Sequence, residues 1–127
     1  PPAISLADGG TQKLDLKGGA EHAGALYLVL GSASGTSPGI GFGGALIPLV
    51  PDGYLTFTLA SPNSPPLGSS LGFLGATGRA ATYFHLPAAS SPSLAGLPVH
   101  HAAVVLPFPA LLPIAFVSNA APVELTP

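Results

Sequence analysis

The chain has 127 residues, enough to close one hydrophobic core and too few to suggest two. Hydrophobic residues make up 47% and charged residues 6%, against roughly 25% charged in an average soluble protein, and the formal net charge is -2. Intrinsic disorder is excluded, because it pairs low hydrophobicity with high net charge; so is a basic track for nucleic acid, since Lys13, Lys17 and Arg79 are the only permanent cations.

Short apolar segments punctuated by Gly, Pro, Ser and Asn run the length of the chain, with no sustained helical periodicity between the breakers. The first predicted element is an extended segment, Ala3 to Ala7, with Ile4 and Leu6 on one face, led by Pro1-Pro2 and cut off by Asp8-Gly9-Gly10. Residues 1–10 therefore read as an N-terminal extension and residues 11–127 as the domain proper. Two fates are open to the extension. It pairs with its own sheet as an edge strand, or Ala3, Ile4, Ser5, Leu6 and Ala7 add to the sheet of a neighbouring copy, with Gly9 and Gly10 as the hinge.

Lys13 to Lys17 alternates, with Leu14 and Leu16 inward and Lys13, Asp15 and Lys17 outward. Leu26 to Leu30 is apolar on both faces. Ala45 to Val50, the turn Pro51-Asp52-Gly53 and the alternating Tyr54 to Leu59 predict a hairpin. After the Ser/Pro-rich loop Ser61 to Ser70, Ala80 to Leu86 puts Phe84 and Leu86 on one side and Tyr83 and His85 on the other. A second such loop, Ala88 to Gly96, leads into Val99 to Leu106, again apolar on both faces, and the last strands are Leu112 to Ser118 and Pro122 to Thr126. The pattern predicts an all-β antiparallel β-sandwich of jelly-roll type. Without helices to cover them, the two-sided apolar strands imply a central position or an intermolecular face.

The apolar run Leu97 to Val117 could span a bilayer by length, but His100, His101 and four prolines argue against a membrane helix. Cysteine is absent, which removes disulfides and thiolate metal sites. No initiator Met and no export signal stand at Pro1, so a processed or excised chain is expected, and the uncharged Pro/Gly-rich composition points to an extracellular, secreted or cell-surface location.

The stretches Gly24-Ala25-Leu26-Tyr27, Gly31 to Gly39 (GSASGTSPG) and Leu46-Ile47-Pro48-Leu49 with Asp52 resemble a domain that recurs in large secreted bacterial proteins. Gly78-Arg79-Ala80, Leu86-Pro87, Leu94-Ala95-Gly96, His100-His101-Ala102 and Val117-Ser118-Asn119-Ala120 fit the same pattern, while Gly75 stands where an Asp is common. The resemblance implies a β-sandwich, usually near a C-terminus, with no assigned enzymatic role. The extended N-terminal segment is also similar in kind to the joining strands of extracellular filament subunits.

The acids Asp8, Asp15, Glu21, Asp52 and Glu124 and the histidines His22, His85, His100 and His101 assemble no recognisable catalytic motif, and Gly31-Ser32-Ala33-Ser34-Gly35 lacks the pattern of a nucleophile elbow. No catalytic residue, cofactor or metal ligand is assigned. Adjacent His100 and His101 point to opposite faces of a strand, so one ion takes at most one of them, with His85 as the only evident companion. Tyr27, Tyr54 and Tyr83 leave room for sugar binding, and the Ser/Thr/Pro loops for O-linked glycans. The expected function is that of a structural subunit of an extracellular filament or surface layer. Copies of the chain would form a helical or linear homopolymer through N-terminal strand donation and apolar contacts. The alternative is a C-terminal accessory module of a larger secreted protein, serving adhesion or carbohydrate binding.

Overall fold

In the computed structural model, which describes residues 2–127, strands dominate and the all-β expectation holds. The chain runs through β1 (Ala3–Ser5), β2 (Gly10–Lys17), β3 (Leu26–Ser32), β4 (Ile40–Phe42) and β5 (Ala45–Ile47) to a helix, α1 (Gly53–Ala60). Then come β6 (Leu67–Gly68), β7 (Leu71–Phe73), β8 (Arg79–Leu86), β9 (Val99–Leu106), β10 (Phe116–Val117) and β11 (Ala121–Thr126). The larger sheet has the order β1-β11-β9-β3-β7, with β10 also on β9; a smaller sheet is β2-β8-β6, and β4 and β5 form a separate ribbon. Pairing is antiparallel throughout except at β1, which lies parallel to β11 with Ala3 opposite Glu124 and Ser5 opposite Thr126.

Period-2 patterning decides which side chains the sheets share. On β9, Val99, His101, Ala103 and Val105 turn toward the smaller sheet, and Ala102 and Val104 turn away. The first set joins Tyr27, Val29, Val123, Leu125 and Ile4 against Leu16, Leu67 and Phe84 of the smaller sheet. The second set joins Leu30 in a separate cluster with Ile47, Leu49 and Leu55. The larger sheet is therefore buried on both faces, as its two-sided apolar strands require.

The cover on the outer face corrects the sequence reading. Tyr54 to Leu59 lies in α1 and is not a strand, and Ala45 to Val50 forms no hairpin with it; β5 pairs with β4, Ile40 opposite Ile47. Aromatic and β-branched residues gave the segment its strand-like alternation, but Asp52 is an N-cap, its carboxylate accepting from the Leu55 amide at 2.9 Å. Helical spacing then buries Leu55 and Thr58 together, and Thr58 Oγ1 ties the helix to β3 by accepting from the Gly31 amide at 3.1 Å. Capping and tertiary burial outweigh an intrinsic preference that spans only about 1 kcal/mol. The helix also supplies within the chain the cover for which an intermolecular face was one candidate. A smaller correction falls at Leu112 to Ser118, where only Phe116–Val117 pairs as a strand. Among the described residues no helix is long and apolar enough to cross a membrane, and most of Leu97 to Val117 is β9, a loop and β10.

Candidate functional site

The five residues predicted to mediate self-assembly pack, in this single chain, against the chain's own β11 and the loop that follows β8. Ile4 and Leu6 are 4% and 1% exposed within the inner core. The Leu6 amide donates to the Thr126 carbonyl at 2.8 Å, while the Ala89 and Ser90 amides donate to the Ala7 and Leu6 carbonyls at 2.8 and 2.9 Å. Gly9 closes a tight turn, its amide donating to the Ser5 carbonyl at 2.7 Å with φ +76. A Cβ there would sit 2.7 Å from the Ala88 nitrogen and the Leu86 carbonyl oxygen, so only glycine fits. Gly10 already belongs to β2. Pro1 lies outside the described residues.

Asp52 is the most heavily hydrogen-bonded acid. Besides capping α1, it accepts from the Ala33 amide at 2.8 Å, the Ser34 hydroxyl at 2.7 Å and the Ser32 hydroxyl at 3.4 Å. Burial raises its pKa, but the donors at Leu55, Ser34, Ala33 and Ser32 together outweigh that and hold the carboxyl below its ordinary value. The serines of Gly31 to Gly35 thus fasten the end of β3 to the start of the helix. With Ser32 Oγ committed to the Val50 carbonyl at 2.7 Å, this cluster is a structural clamp.

A second polar cluster was not foreseen as a unit. His101 is 2% exposed, its ring 4.8 Å from that of Phe84, and its Nε2 lies 2.7 Å from the Tyr54 hydroxyl that α1 sends across the sheet. The hydroxyl is best satisfied as the donor to Nε2, which leaves the proton of the neutral imidazole on Nδ1. Burial, with a smaller contribution from the charge of His100, lowers the His101 pKa to about 4. Burial and the charge of Asp52 push the Tyr54 hydroxyl well above its usual value, so neither group ionises near neutrality. Gly31 makes room for the pair: a Cβ there would overlap the Tyr54 ring and stand 2.9 Å from His101 Cδ2. Gly31→Ala is therefore expected to cost about 2 kcal/mol or more by overpacking, read as a lowered urea midpoint, and a midpoint equal to that of the parent would disprove the contact.

His101 lines a cavity of about 390 Å3 between the two sheets, bounded on one side by the free edge of β2 from Gln12 to Lys17 and on the other by Phe116, Ser118 and Ala121. Among the described residues two buried side-chain atoms have no partner, His101 Nδ1 and Gln12 Oε1, and both residues line this cavity. Gln12 is oriented by its Nε2, which donates to the Pro122 carbonyl at 3.1 Å and so turns Oε1 into the acceptor. The other histidines lie elsewhere: His85 Nδ1 is 2.7 Å from the Thr11 hydroxyl on the smaller sheet, and His100 Nδ1 is 3.0 Å from the Pro98 carbonyl. Among the described residues no three His, Asp or Glu side chains come together as metal ligands. The one available signal for His101 was its place in the inward register of β9, between Val99 and Ala103.

No family model, curated protein or solved structure matches the chain. The resemblance to a recurring secreted domain thus rests on the quoted residues alone.

Proposed function

We propose that the chain is a non-catalytic accessory binding module of a secreted protein, a β-sandwich of jelly-roll type that takes its ligand in the cleft between β2 and β9. One observation carries this reading. Gln12 and His101, each with one buried atom that lacks a partner among the described residues, line the same cavity. Leaving each unpaired costs about 1–3 kcal/mol, so a ligand whose entry shifts the two side chains enough to pair them recovers part of that cost on binding. The cavity is also of a size with small-molecule sites, which run from roughly 300 to 1,000 Å3. The test is a chemical-shift screen of the 15N-labelled chain against small polar molecules of mixed charge. Saturable shifts at Gln12, His101 and Phe116 support the reading, and a screen in which no compound moves them rejects it.

Self-association is the second reading, favoured by a different surface. Phe73 and Phe108 stack edge to face at 5.4 Å, and the loop from Phe108 reaches the β4–β5 ribbon, where the Ile114 amide donates to the Gly43 carbonyl at 2.8 Å. Phe42, Leu46, Phe73, Phe108, Leu111 and Leu112 all remain exposed along this path. An apolar end on a chain of net charge -2 suits contact between copies, with exchange of β1 as the further linkage of a filament. The full chain is then expected to assemble in sedimentation and electron microscopy, and a Phe73→Ser, Phe108→Ser variant to stay monomeric. Monomers of the folded full chain across the accessible concentration range would remove this reading.

A further inference from the structure

Of the strands that end the two sheets, β1 and β7 have three residues each and β6 has two, while β2 has eight. Shortness guards the first three against pairing with another chain, and β2 lacks that guard. It also holds no proline and no bulge, its register with β8 running unbroken from Gly10 opposite Leu86 to Lys17 opposite Arg79.

Two hydrogen bonds fix which residues of β2 face outward. One step beyond the ladder the Gly18 amide donates to the Gly78 carbonyl at 2.8 Å, and on the far side of β8 the His85 amide donates to the Pro66 carbonyl at 2.8 Å. Alternation then turns the backbone groups of Gln12, Leu14 and Leu16 toward β8, and those of Thr11, Lys13, Asp15 and Lys17 toward the open edge. Among the described residues no other strand, turn or loop bonds to that edge.

The side chains of Lys13, Asp15 and Lys17 set the sign order plus, minus, plus along this edge, on a chain with only three permanent cations in all. Charge on an edge ordinarily repels a second strand. This order, however, is self-complementary in one register. Two antiparallel copies of β2 exchange backbone bonds only where outward-turned residues face one another, which places a two-fold axis at a residue. An axis at Lys13 or Asp15 sets like charges opposite each other. An axis at Gln12 or Leu16 runs the ladder past the ends of β2, onto Gly9 or Gly19. An axis at Leu14 uses the strand from Thr11 to Lys17, with Lys13 opposite the partner's Asp15 and Asp15 opposite the partner's Lys13.

We propose that two copies of the chain pair through β2, antiparallel about a two-fold axis at Leu14, and so join their smaller sheets into one. The exposed Lys13–Asp15 contact at 3.5 Å within one chain is a weak one to exchange for the pairs between copies. Leu14 fits the same arrangement, for it is only half-buried at the cleft while Leu16 beside it is buried. Residues directly opposite one another share a face of the sheet, so the partner's Leu14 comes against Leu14. A two-fold contact uses the same patch on both copies and closes at a dimer, and it needs no ligand in the cleft.

The test is sedimentation equilibrium and amide hydrogen exchange of the intact chain over a range of concentrations. A dimer is expected, with protection at Thr11, Lys13, Asp15 and Lys17 rising with concentration and protection at Gln12, Leu14 and Leu16 present throughout. Asp15→Lys gives the edge three lysines, and Lys13→Asp, Lys17→Asp gives it three aspartates; each should weaken the dimer about tenfold or more. An equimolar mixture of the two variants should form a heterodimer, since opposite charges again meet across the axis. Phe73→Ser, Phe108→Ser separates this contact from the apolar end: a dimer that persists in that variant belongs to β2, and one that vanishes belongs to the apolar end and overturns the proposal. Monomers of the folded chain at every concentration, a dimer of unchanged strength in Asp15→Lys, or variants that stay apart when mixed would overturn it as well.

Discussion

Deleting residues 1–8 is expected to destabilise the chain by about 3–6 kcal/mol, since it removes two buried aliphatic side chains worth roughly 1.5–3 kcal/mol each. Those side chains are Ile4 and Leu6, both in the inner core, and the deletion also strips β1 from the edge of β11. Against a typical total of about 5–15 kcal/mol, that is enough to unfold a large fraction of the molecules at ambient temperature. Urea titration of the full and shortened chains measures it directly. A shortened chain that melts with the full one would show that β1 contributes nothing to the core. Adding the synthetic 1–8 peptide in excess should restore the midpoint in a saturable way, because β1 has no backbone hydrogen bond that depends on its covalent link except at the turn to Gly9. The same experiment bears on assembly. Strand exchange between copies uses the contacts that β1 makes at home, so loss of filaments on truncation alone would not separate donation from unfolding. Restoration by free peptide, with monomers as the product, would.

The second large effect is a loss of stability on mild acidification. His101 titrates near 6.5 when unfolded and at about 4 when folded. Between those values the unfolded chain binds the proton and the folded chain does not, so stability rises with pH. The contribution is complete above 6.5 and is lost progressively as the pH falls through about 4, amounting to about 3 kcal/mol at 1.36 kcal/mol for each unit of displacement. The depressed Asp52 carboxyl adds a further loss at lower pH, as the clamp between β3 and α1 is protonated. Thermal melts from pH 7 to pH 4 should show a falling midpoint in the parent and a much flatter profile in His101→Gln. Equal slopes in the two chains would place the acid sensitivity elsewhere. Long-range 1H–15N spectra of the parent at neutral pH should find the His101 proton on Nδ1; a proton on Nε2 would reverse the hydrogen bond with Tyr54.

The alternation Leu14, Leu16 against Lys13, Asp15, Lys17 is readable in the residue order, and so are the inward Phe84 of β8 and the inward Val123 and Leu125 of β11. In each, period 2 and burial agree, so local pattern and tertiary environment point the same way. The two-sided apolar character of β3 and β9 likewise announced a sheet covered on both faces. What covers it was not readable. Tyr54 to Leu59 carries a strand's residues and a strand's alternation, and only the packing of Leu55 and Thr58 onto β3, begun by the Asp52 cap, makes it a helix. A cap competes with a turn for the same Pro-Asp-Gly sequence, and the choice between them lies with the surface that the next turn can bury.

The candidate site follows the same division. Each of its parts lies in a separate segment: Gln12 on β2, Tyr54 on α1, His101 on β9 and Phe116 on β10. The residue order by itself, with its short apolar segments between breakers, determined that the chain is built mainly of strands. Tertiary structure decided which strand β1 pairs with in the single chain and that a histidine in an apolar register leaves one nitrogen unpaired. Those outcomes depend on which long-range partners meet, and no local preference along the chain encodes that residues as far apart as 12 and 101 line one cavity.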